Sequence, residues 1–456
     1  MNNEEPKKLV LDMKNLFLLI IKLALPSLAS NLITSLYYIV DIKFIGMLND
    51  DALAAVSLTY PINIFVISLG IGTGIGVSSV LSRLLGEQKK EEASIVAGNA
   101  VTLGIIYGIL AMILGIFFSR SLISFLGSNS EIVNEYAVKY LRISLLGGLG
   151  MFLPMIAADI LKSEGDTITP MLVLLGGAIL NTILDPILMF GLGKIPALGI
   201  SGAALATTIS RLITAFISIS LLFRNKNIIK PKILDMKHLI NSIVQIYYYG
   251  LPSTLASMIT AAVIGFLNNI VGNYSEDALA FTGVMVTLSD AIIFLPIYGL
   301  AQGFIPIASY SFGSKKYDRL KKTLFYTLGI SLAISIFGGS LFIFFPKFIL
   351  RRFITDYEII KLGAKAFRKV GLSYIFVGPT IICAAAFQSI GHSLQVALAA
   401  FMRSIIILIP LAYIFGYIGG VNSIWWAFLI TEVVSFLVIS FWLRHHFKKL
   451  PNQDIK

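Results

Sequence analysis

The chain has 456 residues, 57% hydrophobic and 13% charged, with a formal net charge of +12. Soluble domains carry about 25% charged residues, so an ordinary soluble globule is excluded. The basic surplus lies in short polar breaks rather than along one amphipathic face, which excludes a nucleic-acid partner; Cys383 is the single cysteine, which excludes an internal disulfide.

Apolar runs of bilayer length follow one another along the whole chain and do not alternate as β-barrel strands would. They predict an all-α integral membrane protein of twelve spanning helices over 15–40, 54–80, 95–118, 135–161, 170–192, 199–223, 242–271, 279–306, 323–346, 365–390, 394–418 and 422–444. The first run is read as a retained helix, not a cleaved leader. With both termini cytoplasmic, the inner segments hold 21 of the 36 Lys and Arg residues and the outer segments 11. The basic outer connections, Arg120 to Arg142 and Lys347 to Lys369, are expected as short pieces lying on the outer surface.

In chain order, the first helix carries Pro26, which should bend it, and then Tyr37 and Asp41 one turn apart. An Asp at the centre of a spanning helix costs about 3 kcal/mol on insertion scales, so such residues are rare without a role. Gly70, Gly72, Gly74 and Gly76 in the second helix have no following Lys-Ser/Thr and read as close helix packing, not a phosphate loop. Asp159 ends the fourth helix three residues before Lys162. Asn181 and Asp185 share one face of the fifth, and Thr207 lies on the sixth. Pro252 repeats Pro26 in the seventh helix, and Asp290 and Glu432 are the isolated acids of the second half. Arg211 and Arg403 could neutralise acids or snorkel, and snorkelling is the expectation. A greasy cavity for flat cations would draw on aromatic, Met and acidic side chains such as Tyr37, Met155, Met189, Tyr298 and Glu432.

The chain repeats itself. Leu25-Pro26-Ser27 matches Leu251-Pro252-Ser253, Asp51-Ala52-Leu53-Ala54 matches Asp277-Ala278-Leu279-Ala280, and Ser163 and Gly165 match Ser389 and Gly391, all 226 apart. This predicts a duplicated six-helix unit, with an N-lobe over 1–225 and a C-lobe over 226–456. In transporters such a repeat places the substrate path between the halves.

The motifs then resemble one family. Ile39-Val40-Asp41-Ile42-Lys43-Phe44-Ile45-Gly46, Ser82-Arg83-Leu84-Leu85-Gly86, Glu164-Gly165-Asp166-Thr167-Ile168-Thr169-Pro170-Met171, Leu180-Asn181-Thr182-Ile183-Leu184-Asp185-Pro186 and Gly202-Ala203-Ala204-Leu205-Ala206-Thr207 are together similar to the multidrug and toxic compound extrusion (MATE) family, most of all its MepA-like bacterial branch. The resemblance implies two six-helix lobes in a V and a monomeric antiporter of the bacterial cell membrane. Amphipathic, often cationic organic compounds would leave as H⁺ or Na⁺ enters. It implies no cofactor, and an ion site of Asp41, Asp159, Asn181, Asp185 and Thr207, with Na⁺ as the one metal that Asp41 and Asp185 would hold. Two other readings are a lipid-linked oligosaccharide flippase with the same bundle, which would need more cavity cations than Arg211 and Arg403, and an integral-membrane enzyme. For the latter His238, His392, His445 and His446 are weak candidates, since they sit in inner loops or the tail.

Overall fold

The structure, a computed structural model, describes residues 10–126, 130–224, 227–232, 237–272, 274 and 276–449, with backbone only at 260–262, 264, 268, 276, 277, 279 and 280. Twelve long helical elements follow one another: α1 (Leu16–Gly46), α2 (Asp50–Gly86), α3 (Lys90–Leu126), α4 (Glu131–Leu146 and Gly148–Ser163), α5 (Ile168–Phe190), α6 (Ile200–Leu222), α7 (Leu239–Gly272), α8 (Glu276–Ser289, continued to Gly313), α9 (Tyr317–Phe344), α10 (Tyr357–Ser389), α11 (Ser393–Gly419) and α12 (Val421–Lys448). Among the described residues there is no strand, only an isolated bridge between Leu192 and Ile195. Ten helices are individually long and apolar enough to span a bilayer, and the two-part α4 makes eleven. At 34 residues α7 is itself longer than the roughly 20 that a span requires.

The polar breaks end the helices by ordinary capping. The Asn49 side chain accepts from Ala52 N at 2.7 Å to start α2, with Asp50 and Asp51 in its positive first turn. The Asp356 carboxylate accepts from Glu358 N and Ile359 N to start α10. The duplication reappears in the backbone: the turns after α4 and α10 place Gly165 and Gly391 at φ of +90° and +84°, and those after α2 and α8 place Gln88 and Lys315 at +63° and +58°. Glycine meets that left-handed requirement without strain.

Three spans contain a π-helical turn, at Leu114–Phe118, Asp290–Phe294 and Met402–Leu408. The last two precede Pro296 and Pro410. A proline ring collides with the carbonyl one turn back, and a wider turn just upstream relieves the collision. The outer basic segments differ from expectation. Arg120 lies in the last turns of α3, Arg142 in the first part of α4, and Lys361 to Lys369 in α10; Lys347 is on a short helix, Pro346–Leu350.

The chain divides into two compact units. Unit 1 is Met1–Asp12 with Ala29–Leu251, and unit 2 is Met13–Leu28 with Pro252–Lys456. Helices α1 and α7 therefore change unit two residues after Pro26 and immediately before Pro252, at equivalent points of the repeat. In unit 1 a core of Ala52, Ala55, Ile123, Tyr140, Phe152 and Met189 joins α2, α3, α4 and α5. The first part of α7 belongs to it. Side-chain-free surfaces let the backbones meet: a Cβ on Gly76 would strike the Ile246 carbonyl, and one on Gly250 the Gly72 carbonyl. The glycine series of α2 is thus a packing surface. In unit 2, α10 packs along both α9 and α12, around Phe281, Phe342, Phe367 and Trp425.

Candidate functional site

Unit 1 gathers the polar residues of three helices. From α1, Tyr37 Oη donates to Thr207 Oγ1 of α6 at 3.4 Å. From α5, Asn181 Nδ2 donates to the same Thr207 oxygen at 3.4 Å and to Asp185 Oδ1 at 3.3 Å. The i, i+4 spacing of Asn181 and Asp185 puts both on the face of α5 turned into the unit. Asp41 lies one turn beyond Tyr37 and is 4% exposed; Asn181 and Asp185 are 1% and 0% exposed. Asp41 and Asp185 lie within electrostatic reach of each other.

Three oxygens of this group, Asp41 Oδ1, Asn181 Oδ1 and Asp185 Oδ2, are buried with no hydrogen-bond partner. A buried acceptor left unsatisfied costs about 1–3 kcal/mol, more for a charged group. Two carboxylates, an amide oxygen and a hydroxyl form an all-oxygen donor set, which suits a proton or a hard cation such as Na⁺ and not a soft transition metal. Arg211, one turn past Thr207, is partly buried, and its charge reaches Asp41, Tyr37 and Tyr140. It does not snorkel away from the acids. With both carboxylates ionised, the group carries two negative charges against one positive.

Asp159 stands apart. Its hydrogen-bond partner among the described residues is Lys162 Nζ at 3.2 Å, and it packs against Gly74 of α2. Of the candidate cavity residues, Tyr37, Met155 and Met189 belong to unit 1, and Tyr298 and Glu432 to unit 2. Tyr37 joins the acid network, and Met155 lies over Gly70. Met189 is 1% exposed, within the unit 1 core. In unit 2, Tyr298 is 45% exposed and stacks on Phe294.

Glu432, also in unit 2, is 3% exposed and receives Arg403 Nε at 2.8 Å on Oε1; Nη2 points to the same oxygen. Arg403 therefore serves as the counter-ion of Glu432, where snorkelling was expected. It projects from the π turn of α11, a kind of distortion that recurs at functional positions. Sequence reasoning missed both arginines' partners. The available signal was that each lies in an otherwise apolar run that also faces an acid-bearing helix.

The MatE family model matches residues 26–187 and 241–414. The chain belongs to the MatE family. Its sequence is 27% identical to a FAD transporter of Shewanella oneidensis, over 91% of this chain and 91% of that protein. It is also 27% identical to the multidrug export protein MepA of Staphylococcus saprophyticus, over 91% of this chain and 90% of that one. A solved outward-facing multidrug resistance MATE family transporter superposes with a TM-score of 0.89 at 25% identity, covering 98% of this chain and 99% of that one. MATE proteins are multi-pass membrane transporters, so this chain is a transporter and not an enzyme, and its fold is the MATE bundle.

Proposed function

We propose that this MATE transporter is a secondary antiporter, exporting amphipathic, often cationic organic compounds in exchange for H⁺ or Na⁺. The observation that carries the reading is the set of three buried, partnerless oxygens on Asp41, Asn181 and Asp185, beside a Thr207 hydroxyl that accepts from Asn181 Nδ2 and Tyr37 Oη. Two acids facing one arginine leave the group one positive charge short of neutrality. A single proton or Na⁺ supplies that charge. Asp159, already neutralised by Lys162, is left outside the ion set. Pro26 and Pro252 mark where α1 and α7 change unit, and bending there would let the charge state of Asp41 be felt by both lobes. The reading sets the protein in the bacterial cell membrane as a monomer with both termini cytoplasmic, consistent with the distribution of Lys and Arg.

One charge falling through 100 mV yields about 2.3 kcal/mol, enough for roughly a forty-fold gradient of an uncharged substrate. Ethidium efflux from vesicles under an imposed pH or Na⁺ gradient tests the ion set. Asp41→Asn and Asp185→Asn are each expected to abolish gradient-driven export while leaving the protein folded. Undiminished export in both variants would remove the assignment.

A second reading is favoured by a relative named a FAD transporter, FAD being a cargo with phosphates. In unit 1 the partly buried guanidinium of Arg211 is the group that suits such a cargo. Flavin dinucleotide loaded into the same vesicles separates the two: export of the dinucleotide without ethidium export supports the anionic cargo.

A further inference from the structure

A groove of about 410 Å³ opens in unit 1 between α5 and α6. Its walls are Leu172, Val173, Gly176, Leu180, Ile213 and Ile217, and Thr169 and Arg224 close one end. It is separate from the acid group, none of whose side chains lines it. Leu172, Ile213 and Ile217 are 55%, 42% and 43% exposed, so the groove presents its apolar wall outward. At Gly176 a Cβ would meet nothing within 4 Å, so the missing side chain leaves the floor open.

Length and charge identify the occupant. From Thr169 to Leu180 the groove follows 11 residues of helix, roughly 16 Å. The antiparallel stretch of α6 from Ile213 to Leu222 runs about 14 Å, and Arg224 lies two residues past its end. Half of a bilayer's hydrocarbon core is about 15 Å. The groove thus spans one leaflet, with apolar walls at acyl-chain depth and a basic residue at headgroup depth. At that end the Asp166 carboxylate is already occupied by Thr169, accepting from its N at 2.9 Å and its Oγ1 at 2.6 Å. Arg224 is exposed and has no ion-pair partner among the described residues.

We propose that this groove is a binding site for an anionic phospholipid, with one acyl chain along α5 and α6 and its phosphate on Arg224. The far end of the groove is Leu180, adjacent to Asn181. A bound chain therefore braces α5 against α6 where these helices carry Asn181, Asp185 and Thr207, and lipid occupancy modulates transport from outside the ion site. The inference goes beyond the antiport reading and stands without it.

The test is native mass spectrometry of the full chain in mild detergent, titrated separately with phosphatidylglycerol, phosphatidylethanolamine and inorganic phosphate. One phosphatidylglycerol is expected to be retained about fivefold more tightly than phosphatidylethanolamine, the selectivity that one interfacial arginine supplies. Phosphate alone should not bind. Arg224→Gln should erase the preference but keep a lipid. Gly176→Leu fills the floor and should lose the lipid. Gly329→Leu on α9, where a Cβ also meets nothing, should keep it. Thermal unfolding of each variant reports its folding, and Arg224→Gln, being at the surface, carries the test if Gly176→Leu does not fold. Equal retention by the two glycine variants, an unchanged preference in Arg224→Gln, or binding of phosphate alone would each overturn the proposal.

Discussion

Arg403 and Glu432 form the most consequential pair of single residues outside the ion group. Glu432 is almost fully buried and its Oε2 has no partner, so the arginine is what makes its charge tolerable. Removing one partner of a buried pair strands the other at about 3–5 kcal/mol, whereas replacing both by apolar residues is often neutral. Arg403→Ala should therefore lower the unfolding temperature in detergent markedly, and Arg403→Met with Glu432→Met should restore most of it. His392 offers a test by pH. It lies in the turn before α11, its ring 4.5 Å from that of His446. Burial first, and the neighbouring His446 second, push its pKa below the usual 6.5. The folded protein then holds fewer protons than the unfolded chain, so stability is complete above pH 6.5 and falls as pH drops through that value toward the folded pKa. The acid-induced loss should shrink in His392→Gln, measured by thermal melts between pH 7.5 and 5.5.

At the scale of the element, the break in α4 shows how a span tolerates a bend. The two parts meet at 48° around Gly147. There Gly147 N turns to Ser144 O at 3.2 Å, which deprives the Ile143 carbonyl of its usual helical donor. Thr208 Oγ1 of α6 replaces it at 2.9 Å. Thr208→Val should leave that carbonyl unsatisfied at a cost of about 1–3 kcal/mol, while Thr208→Ser, which keeps the hydroxyl, should cost less. Gly76 makes the opposite point, since there the missing side chain is what matters. Gly76→Val drives two methyl groups into the Ile246 carbonyl, and faster proteolysis of α7's first turns would report its displacement.

This is also the scale at which the sequence was most and least legible. Spans, repeat and the shared face of Asn181 and Asp185 follow from spacing alone, because helical geometry and bilayer thickness leave little choice. The pairing of Asp159 with Lys162 was implicit in a three-residue separation. Met189 sits in the unit 1 core, a place that a flexible thioether suits as well as a cavity wall. The partners of Arg211 and Arg403 were hidden for a related reason. A long basic side chain in a span has either lipid headgroups or a distant acid within reach, and only the packing of α6 and α11 decides between them. The π turns before Pro296 and Pro410 were not read either, because a proline disturbs a helix without specifying a π turn.

For the whole molecule, residues 227–232, between α6 and α7, are part of unit 1 and not a loose tether. Both carboxylate oxygens of Glu164 accept from it, Oε2 from Ile228 N at 3.1 Å and Oε1 from Ile229 N at 2.6 Å, and Lys232 N donates to Ser94 O at 3.0 Å. Glu164→Ala should release this segment, visible as faster trypsin cleavage after Lys232 with the bundle intact.

The exchange of helix halves also bears on how the molecule is built from its two repeats. A polypeptide ending at 225 lacks residues 226–251 of unit 1, and one starting at 226 lacks Met13–Leu28 of unit 2. Each fragment is missing a strut that only the other supplies, so the two should accumulate when co-expressed and be degraded when made alone. A duplicated gene whose products lean on each other in this way is held to a single reading frame: neither copy is free to be lost, to leave, or to find another partner.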